Sequence, residues 1–244
     1  VFDNREVLAS LSSPATEVSR APDRVSPDRV RELQSRIRQM QAPKLDVRTL
    51  PTLSALAELL PGGGLRPGAS YSVAGSASLV MALMAGPVQA GSWCGVIGMP
   101  DFGVEAASGL GIDLDRVVLV PRPGEHWLAV TGALVDALTV VVVRPQARVA
   151  DASAAKLAAR LRQREGVLIA LGSWPQAEAR LSVSHTTWGG IGAGHGYLAG
   201  RQMTVTVQAA SGRERSGRIC MPDSTLRVHG EGQVVSAGSA AYAS

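Results

Sequence analysis

Aromatic side chains are scarce: nine Phe, Trp and Tyr residues in a chain of 244 leave little material for stacking on bases. Cysteine is scarcer still. Cys94 and Cys220 stand far apart in apolar, strand-like contexts with no CxxC pattern, which excludes a disulfide framework and reads as two reduced core thiols. The four histidines, His126, His185, His195 and His229, lack metal-ligand spacing, so they read as structural or surface residues and no metal site is expected. No apolar run approaches the roughly 18 residues of a membrane helix. The longest, TVVVV at 139–143, has the length and β-branching of a buried strand, and no membrane contact is expected. Acidic residues and Arg5 interrupt the N-terminal stretch VFDNREVLASLSSPATEV where a signal peptide would need a basic and then an apolar region, which predicts a cytoplasmic chain. The Gly-x-Ser-x-Gly elbow is absent, and no Cys, His and carboxylate group lies close enough in sequence to suggest hydrolase chemistry.

What is present is enough apolar material for one buried core: 45% hydrophobic residues and a mean hydropathy of +0.12 argue against general disorder. Net charge is +4 with a pI near 9.6, which permits contact with nucleic acid without requiring it. Residues 1–25 are rich in Ser, Ala, Pro and charge without periodicity and read as a flexible arm. In SPDRVRELQSRIRQMQ, Ser26 suits an N-cap, Pro27 the first helical position and Asp28 the positive end of the dipole. Val30, Leu33, Ile37 and Met40 recur at spacings of three and four, giving an amphipathic helix over 27–41 with a candidate partner-binding stripe. A short helix, TLSALAELL, follows and ends at PGGG.

Beyond it the period alternates. Strands are expected at 70–74, 93–99, 116–120, 139–144 and 167–171, with helical runs at 77–89, 103–110, 125–138 and 150–165 between them. Continuously apolar strands alternating with helices imply an α/β fold, a mostly parallel sheet covered on both faces. After residue 178 the pattern changes to three alternating segments, ARLSVSH, RQMTVTVQA and RSGRICM, expected to extend that sheet with antiparallel strands. The domain reading is 1–49 for the arm and helix, 50–222 for the core, and 223–244 for a small, weakly charged C-terminal tail without structure of its own.

The stretch SYSVAGSASLVMAL at 70–83 has the local plan of a strand feeding a phosphate loop. A P-loop needs Gly, four residues, then Gly-Lys-Ser/Thr, because backbone N–H groups cradle phosphates, the lysine reaches the β/γ charges and the hydroxyl holds Mg²⁺. Here Gly75, Ser76, Ala77 and Ser78 run straight into Leu79, with neither second glycine nor lysine.

This order of elements resembles a RecA-type recombinase core. LPGGGLRPGASYSVAG is similar to the family's GG-L-x-x-G turn and first core strand, and the segment from GSWCGVIGMPDFG through LGIDLDRVVLV to VDALTVVVV follows its next elements through the Walker B strand. The similarity runs from about residue 50 to 222, and LGIDLDRVVLV is its most specific part. It implies that a water-activating carboxylate would stand at Pro100 or Asp101, a metal-binding aspartate at Arg144, and a nucleotide-sensing glutamine near Ser173; none is matched, although Asp101 could be a displaced carboxylate. Phosphoryl transfer is positioning plus charge stabilisation, so losing lysine, metal ligand and base together removes the mechanism. A RecA-like chain of this size without those residues resembles the ImuA group, in its actinobacterial ImuA-prime form. That resemblance implies a non-catalytic adaptor, with no catalytic residue and no cofactor, in DNA-damage-induced (SOS) translesion synthesis. Its implied partners are an ImuB-like inactive polymerase homologue and an error-prone C-family DNA polymerase, with weak or indirect DNA contact and nucleoid association on damage.

The segment WGGIGAGHGYLAG at 188–200 carries six glycines in thirteen residues. It reads either as a mobile hairpin loop or as a contact with DNA or a partner through Trp188, His195, Tyr197 and Arg201. Its Gly194, Gly196 and Ala199 match GxGxxA, but a strand and not a helix follows, so the dinucleotide fingerprint fails. Arg160, Arg162 and Arg164 suit a solvated helix end, and Arg213, Arg215 and Arg218 suit exposed turns or phosphate contact. Two other functions remain open: an active RecA-type DNA-dependent ATPase, which the missing lysine opposes, and a SulA-like cell-division inhibitor, which the long N-terminal arm fits less well.

Overall fold

The computed structural model describes residues 49–189, 200–222 and 228–237. The chain divides into two units, 1–46 and 47–244, and the second is the one described. Helix 27–41 with Val30, Leu33, Ile37 and Met40, the loop residues His195 and Tyr197, and the end of the C-terminal tail lie outside the described residues.

Five strands alternate with helices as the sequence implies: β1 (Ser70–Val73), β2 (Cys94–Ile97), β3 (Val117–Val120), β4 (Val140–Val143) and β5 (Val167–Leu171). The helices are a single turn, α1 (Ser54–Ala57), then α2 (Ala77–Gln89), α3 (Val104–Gly109), α4 (Trp127–Ala137) and α5 (Asp151–Arg164). Four longer strands close the chain: β6 (Ala179–Gly189), β7 (Gly200–Ala209), β8 (Glu214–Cys220) and β9 (His229–Ala237). All nine belong to one sheet, in the order β3-β2-β4-β5-β1-β6-β7-β8-β9. Pairing is parallel from β3 to β6 and antiparallel from β6 to β9. This is an α/β fold with a mostly parallel, helix-flanked core and antiparallel C-terminal strands.

Every residue of β1, β2, β4 and β5 is buried. Because side chains alternate between faces, each of these strands feeds two cores. Val140 and Val142 pack with α2 on one face, whereas Val141 and Val143 pack with α4 and α5 on the other. Helix α2 follows from the same demand. It is buried from Leu79 to Val88 and apolar all round, which a helix tolerates only inside a protein. Ser76 caps it, accepting a hydrogen bond from the Leu79 N–H at 3.2 Å. Beyond β1 the sheet is covered on one face: Ala179, Leu181, Met203, Val205 and Val207 join the α2-side core, while Arg180, Ser182 and Gln208 face outward.

Among the described residues, Arg201 Nε is the buried side-chain nitrogen or oxygen left without a hydrogen-bond partner. The Tyr71 hydroxyl accepts from the Arg66 backbone N–H at 2.8 Å, and burial pushes its pKa up to about 12, so it stays neutral. Burial likewise pushes the Cys94 thiol up, as expected of a core thiol, whereas Cys220 is only half-buried and donates to the Pro222 carbonyl at 4.0 Å, so it is not the core residue the sequence suggested.

Two further expectations need correction. The helix expected across TLSALAELL shrinks to Ser54–Ala57, because Pro61 begins a 3₁₀ turn and Gly62 adopts φ +73°, ending helical backbone early. Part of the segment read as a structureless tail forms β9, paired antiparallel with β8. Its glycines and small residues give no alternation to read in the sequence.

Gly86 of α2 is fixed by close approach: a Cβ there would meet the Pro51 carbonyl oxygen at 2.5 Å and the Thr52 Cα at 2.7 Å. Gly86→Ala is therefore expected to destabilise the protein by about 1–3 kcal/mol despite alanine's better helix propensity. Chemical denaturation of the two proteins measures it, and an unchanged or raised midpoint would contradict the packing described.

Candidate functional site

In open α/β sheets, ligands meet the carboxyl ends of the strands. Here those ends present Ala74-Gly75-Ser76 after β1, Gly98 to Asp101 after β2, Arg144 after β4 and Gly172-Ser173 after β5.

The turn after β1 is short. Gly75 takes φ +63° and Ser76 immediately caps α2. The Ser76 and Ser78 hydroxyls lie 3.3 Å apart, and Ser78 Oγ accepts from an Arg201 guanidinium nitrogen at 3.0 Å. The polar groups of the turn thus bond to one another. Lys156 is the one lysine among the described residues, and it lies on α5, in the groove between α4 and α5.

At the ends of β2 and β4, Asp101 and Arg144 form a bidentate ion pair with N···O distances of 2.7 and 3.1 Å. Planar guanidinium matches carboxylate geometry in this arrangement. The hydrogen bonds from Arg144 hold the Asp101 carboxyl below the usual carboxylate range. Asp101 is thereby an anion already matched by a cation of the chain, oriented toward Arg144. Gln146 Nε2 donates to the Arg144 carbonyl at 3.0 Å, and Gly98, at φ +71°, leaves the space that this amide needs. Among the described residues no group of three or more His, Cys, Asp or Glu could hold a metal ion.

Beside these turns a cleft of about 410 Å³ opens over Ser72, Ser173, Arg180, Gln208 and Glu214. Ser72 Oγ donates to the Gly172 carbonyl at 2.7 Å, tying β1 to β5 at the mouth.

Trp188 and Arg201 are not on a free loop. Trp188 is the second-last residue of β6, Arg201 lies at the start of β7, and the two are cross-strand partners. The Arg201 guanidinium sits 5.5 Å from the Trp188 ring centroid, a cation–π contact, while Trp188 stays half-exposed. The glycine-rich composition concealed that strand pairing persists to 189, past a bulge where His185 adopts φ +49°. Arg201 thus joins two regions that the sequence presents separately, the β1–α2 turn and the base of the 188–200 segment. Sequence gave no sign of it, because its Ser78 contact spans 123 positions.

Two arginines of the clusters, Arg160 and Arg215, have partners within the chain. Arg160 pairs with Asp136 at 3.3 Å, and Arg215 donates to the Glu58 carbonyl at 3.1 Å. Arg218 is exposed.

The family model for the MT3502 N-terminal domain matches residues 58–176. Uncharacterized protein Rv3395c of Mycobacterium tuberculosis is 33% identical over 155 residues, covering 62% of this chain and 75% of the relative. The chain belongs to the family of that mycobacterial protein.

The ion pair sets a pH signature. Asp101 has a lowered folded-state pKa, so its favourable contribution is present above the unfolded value of about 3.9 and is lost as pH falls through the lowered one. Arg144→Leu should return the Asp101 titration to the ordinary carboxylate range, as followed by carboxylate NMR. An unchanged titration would mean that Arg144 is not its partner in solution.

Proposed function

We propose that this member of the MT3502 N-terminal domain family works as a non-catalytic RecA-like adaptor in an ImuA-type complex for DNA-damage-induced translesion synthesis. It holds an ImuB-like inactive polymerase homologue and supports an error-prone C-family polymerase. The observation that carries the reading is the Asp101–Arg144 pair. A RecA-type site needs free carboxylates at these two strand ends, one to activate water and one to hold Mg²⁺, and this chain bonds its single carboxylate there to an arginine. The β1–α2 turn supports the same reading, since its Ser76 and Ser78 hydroxyls and one guanidinium nitrogen of Arg201 bond to one another without a lysine.

The sheet and its helices then serve as a rigid frame for partner surfaces. The stripe Val30, Leu33, Ile37 and Met40 is one of them in this proposal. DNA contact is weak and electrostatic: a net charge of +4 neutralises few phosphates, so binding falls with salt and ignores sequence.

Purified protein should show no DNA-stimulated ATP turnover above that of a buffer control, and the tagged chain should co-purify with the polymerase homologue from DNA-damaged cells. Removing charge-stabilising groups from a transition state costs several kcal/mol each, so turnover at recombinase-like rates, abolished by Ser76→Ala or Ser78→Ala, would overturn the non-catalytic reading. Failure of the wild-type chain to capture the polymerase homologue would overturn the adaptor reading.

A further inference from the structure

Strands β5 and β6 both run parallel to β1, one on each side of it, so the chain between them must return from the carboxyl end of the sheet to the amino end. Elsewhere in the parallel core a helix makes that return. Residues 172–178 make it without one. Trp174 and Ala177 of this connection are buried, and Trp174 joins the core shared with α4 and α5. With no helix to cover them, Arg180, Ser182 and Gln208 on the outward face of β6 and β7 are exposed.

The cleft of about 410 Å³ lies between this connection and that face. Strand register sets its lining in rows. Ser72, Arg180, Gln208 and Glu214 are successive cross-strand neighbours on β1, β6, β7 and β8, and Ser182 stands opposite Thr206 in the next row. Neighbouring strands lie about 4.8 Å apart, so the backbones of Arg180 and Glu214, two strands from each other, are about 10 Å apart with the Gln208 amide between them. The hydroxyls of the cleft are used within the chain: Ser72 donates to the Gly172 carbonyl at 2.7 Å, and Thr206 Oγ1 lies 3.3 Å from Ser216 Oγ. The two charges are not. Among the described residues neither Arg180 nor Glu214 takes part in an ion pair.

A cation and an anion that line one cleft without meeting disfavour any ligand of a single sign, because it gains one contact and is repelled by the other group. A zwitterion gains both. With about 3 Å for each charge-assisted contact, about 4–7 Å remains between the ligand's own charges, the span of one or two residues of extended main chain. Gln208, which carries two amide donors and an acceptor, suits a peptide group between those ends. No aromatic ring lines the cleft, so a nucleobase would find no face to stack on.

We infer that the cleft between the 172–178 connection and the outward face of β6 to β8 binds a small zwitterion of the dipeptide class. Its carboxylate bonds to Arg180, its ammonium group to Glu214 and its peptide group to Gln208. Both charged ends are required for binding. The site goes beyond the adaptor reading and does not depend on it.

Calorimetric titration of the full chain with alanyl-alanine, its N-acetyl form and its C-terminal amide tests this, with the Gln208 side-chain amide followed by NMR. Wild type should bind alanyl-alanine and shift the Gln208 signals, and each blocked peptide should bind about tenfold more weakly or worse, having lost one charge-assisted contact. Arg180→Gln and Glu214→Gln should each weaken alanyl-alanine to a similar extent. N-acetylation should then cost nothing further in Glu214→Gln, and amidation nothing further in Arg180→Gln, which ties each charge to its partner. Arg180 is exposed and Glu214 half-buried, so both variants should keep the melting temperature. Equal binding of the free and blocked peptides would overturn the inference, as would no binding of alanyl-alanine at millimolar concentration. So would Gln208 signals that move with a single-stranded oligonucleotide and not with the peptide, which assigns the face to nucleic acid. Should a variant not fold, the blocked peptides on wild type decide.

Discussion

Burial of β1, β2, β4 and β5 on both faces is the constraint from which the rest of the architecture follows. A strand buried on both sides has no polar face to offer water, so its residues read as continuous apolar runs and helices must lie above and below it. α2 answers that demand on one face, α4 and α5 on the other. Parallel pairing requires each helix to return the chain to the same end of the sheet, which gathers four strand ends and their turns into one place. Gly75 to Ser78, Asp101, Arg144 and Ser173 are neighbours for that reason, although up to about a hundred positions separate them.

Where local physics decides, the sequence is legible. α2 spans Ala77–Gln89 as expected, because a serine cap, an unbroken apolar run and a buried context all agree. β5 matches at both ends, since Val167–Leu171 is a β-branched and apolar run bounded by glycines. α1 and β9 were obscured by opposite effects. Pro61 and the glycines after it cut a helix that the leucine spacing suggested, and a strand formed where glycines and small residues gave no alternation to read.

The site divides along the same line. That the β1–α2 turn lacks its lysine is visible in order along the chain. That Asp101 and Arg144 bond each other is not, because they stand 43 positions apart and meet only once β2 and β4 are adjacent. Nor could the sequence show that Arg201 reaches Ser78, since the contact depends on β6 and β7 carrying it back across β1. Absence is a local property and can be read directly, whereas a new pairing is a property of the fold.

The pairings that fill the strand ends differ in kind from those that hold the sheet. Asp101 is largely exposed and Arg144 partly so, which places their ion pair among those that contribute little to stability. Val142, two residues before Arg144 on β4, and its β5 partner Ile169 are fully buried. Stability therefore resides in the apolar layers, and the residues at the strand ends can change without loosening them. A parallel, helix-flanked frame of this kind tolerates different residues at its strand ends and remains the same folded object. What it then presents to other molecules is its surface, and the least covered part of the parallel sheet is β3, where neither helix layer fully reaches Leu119.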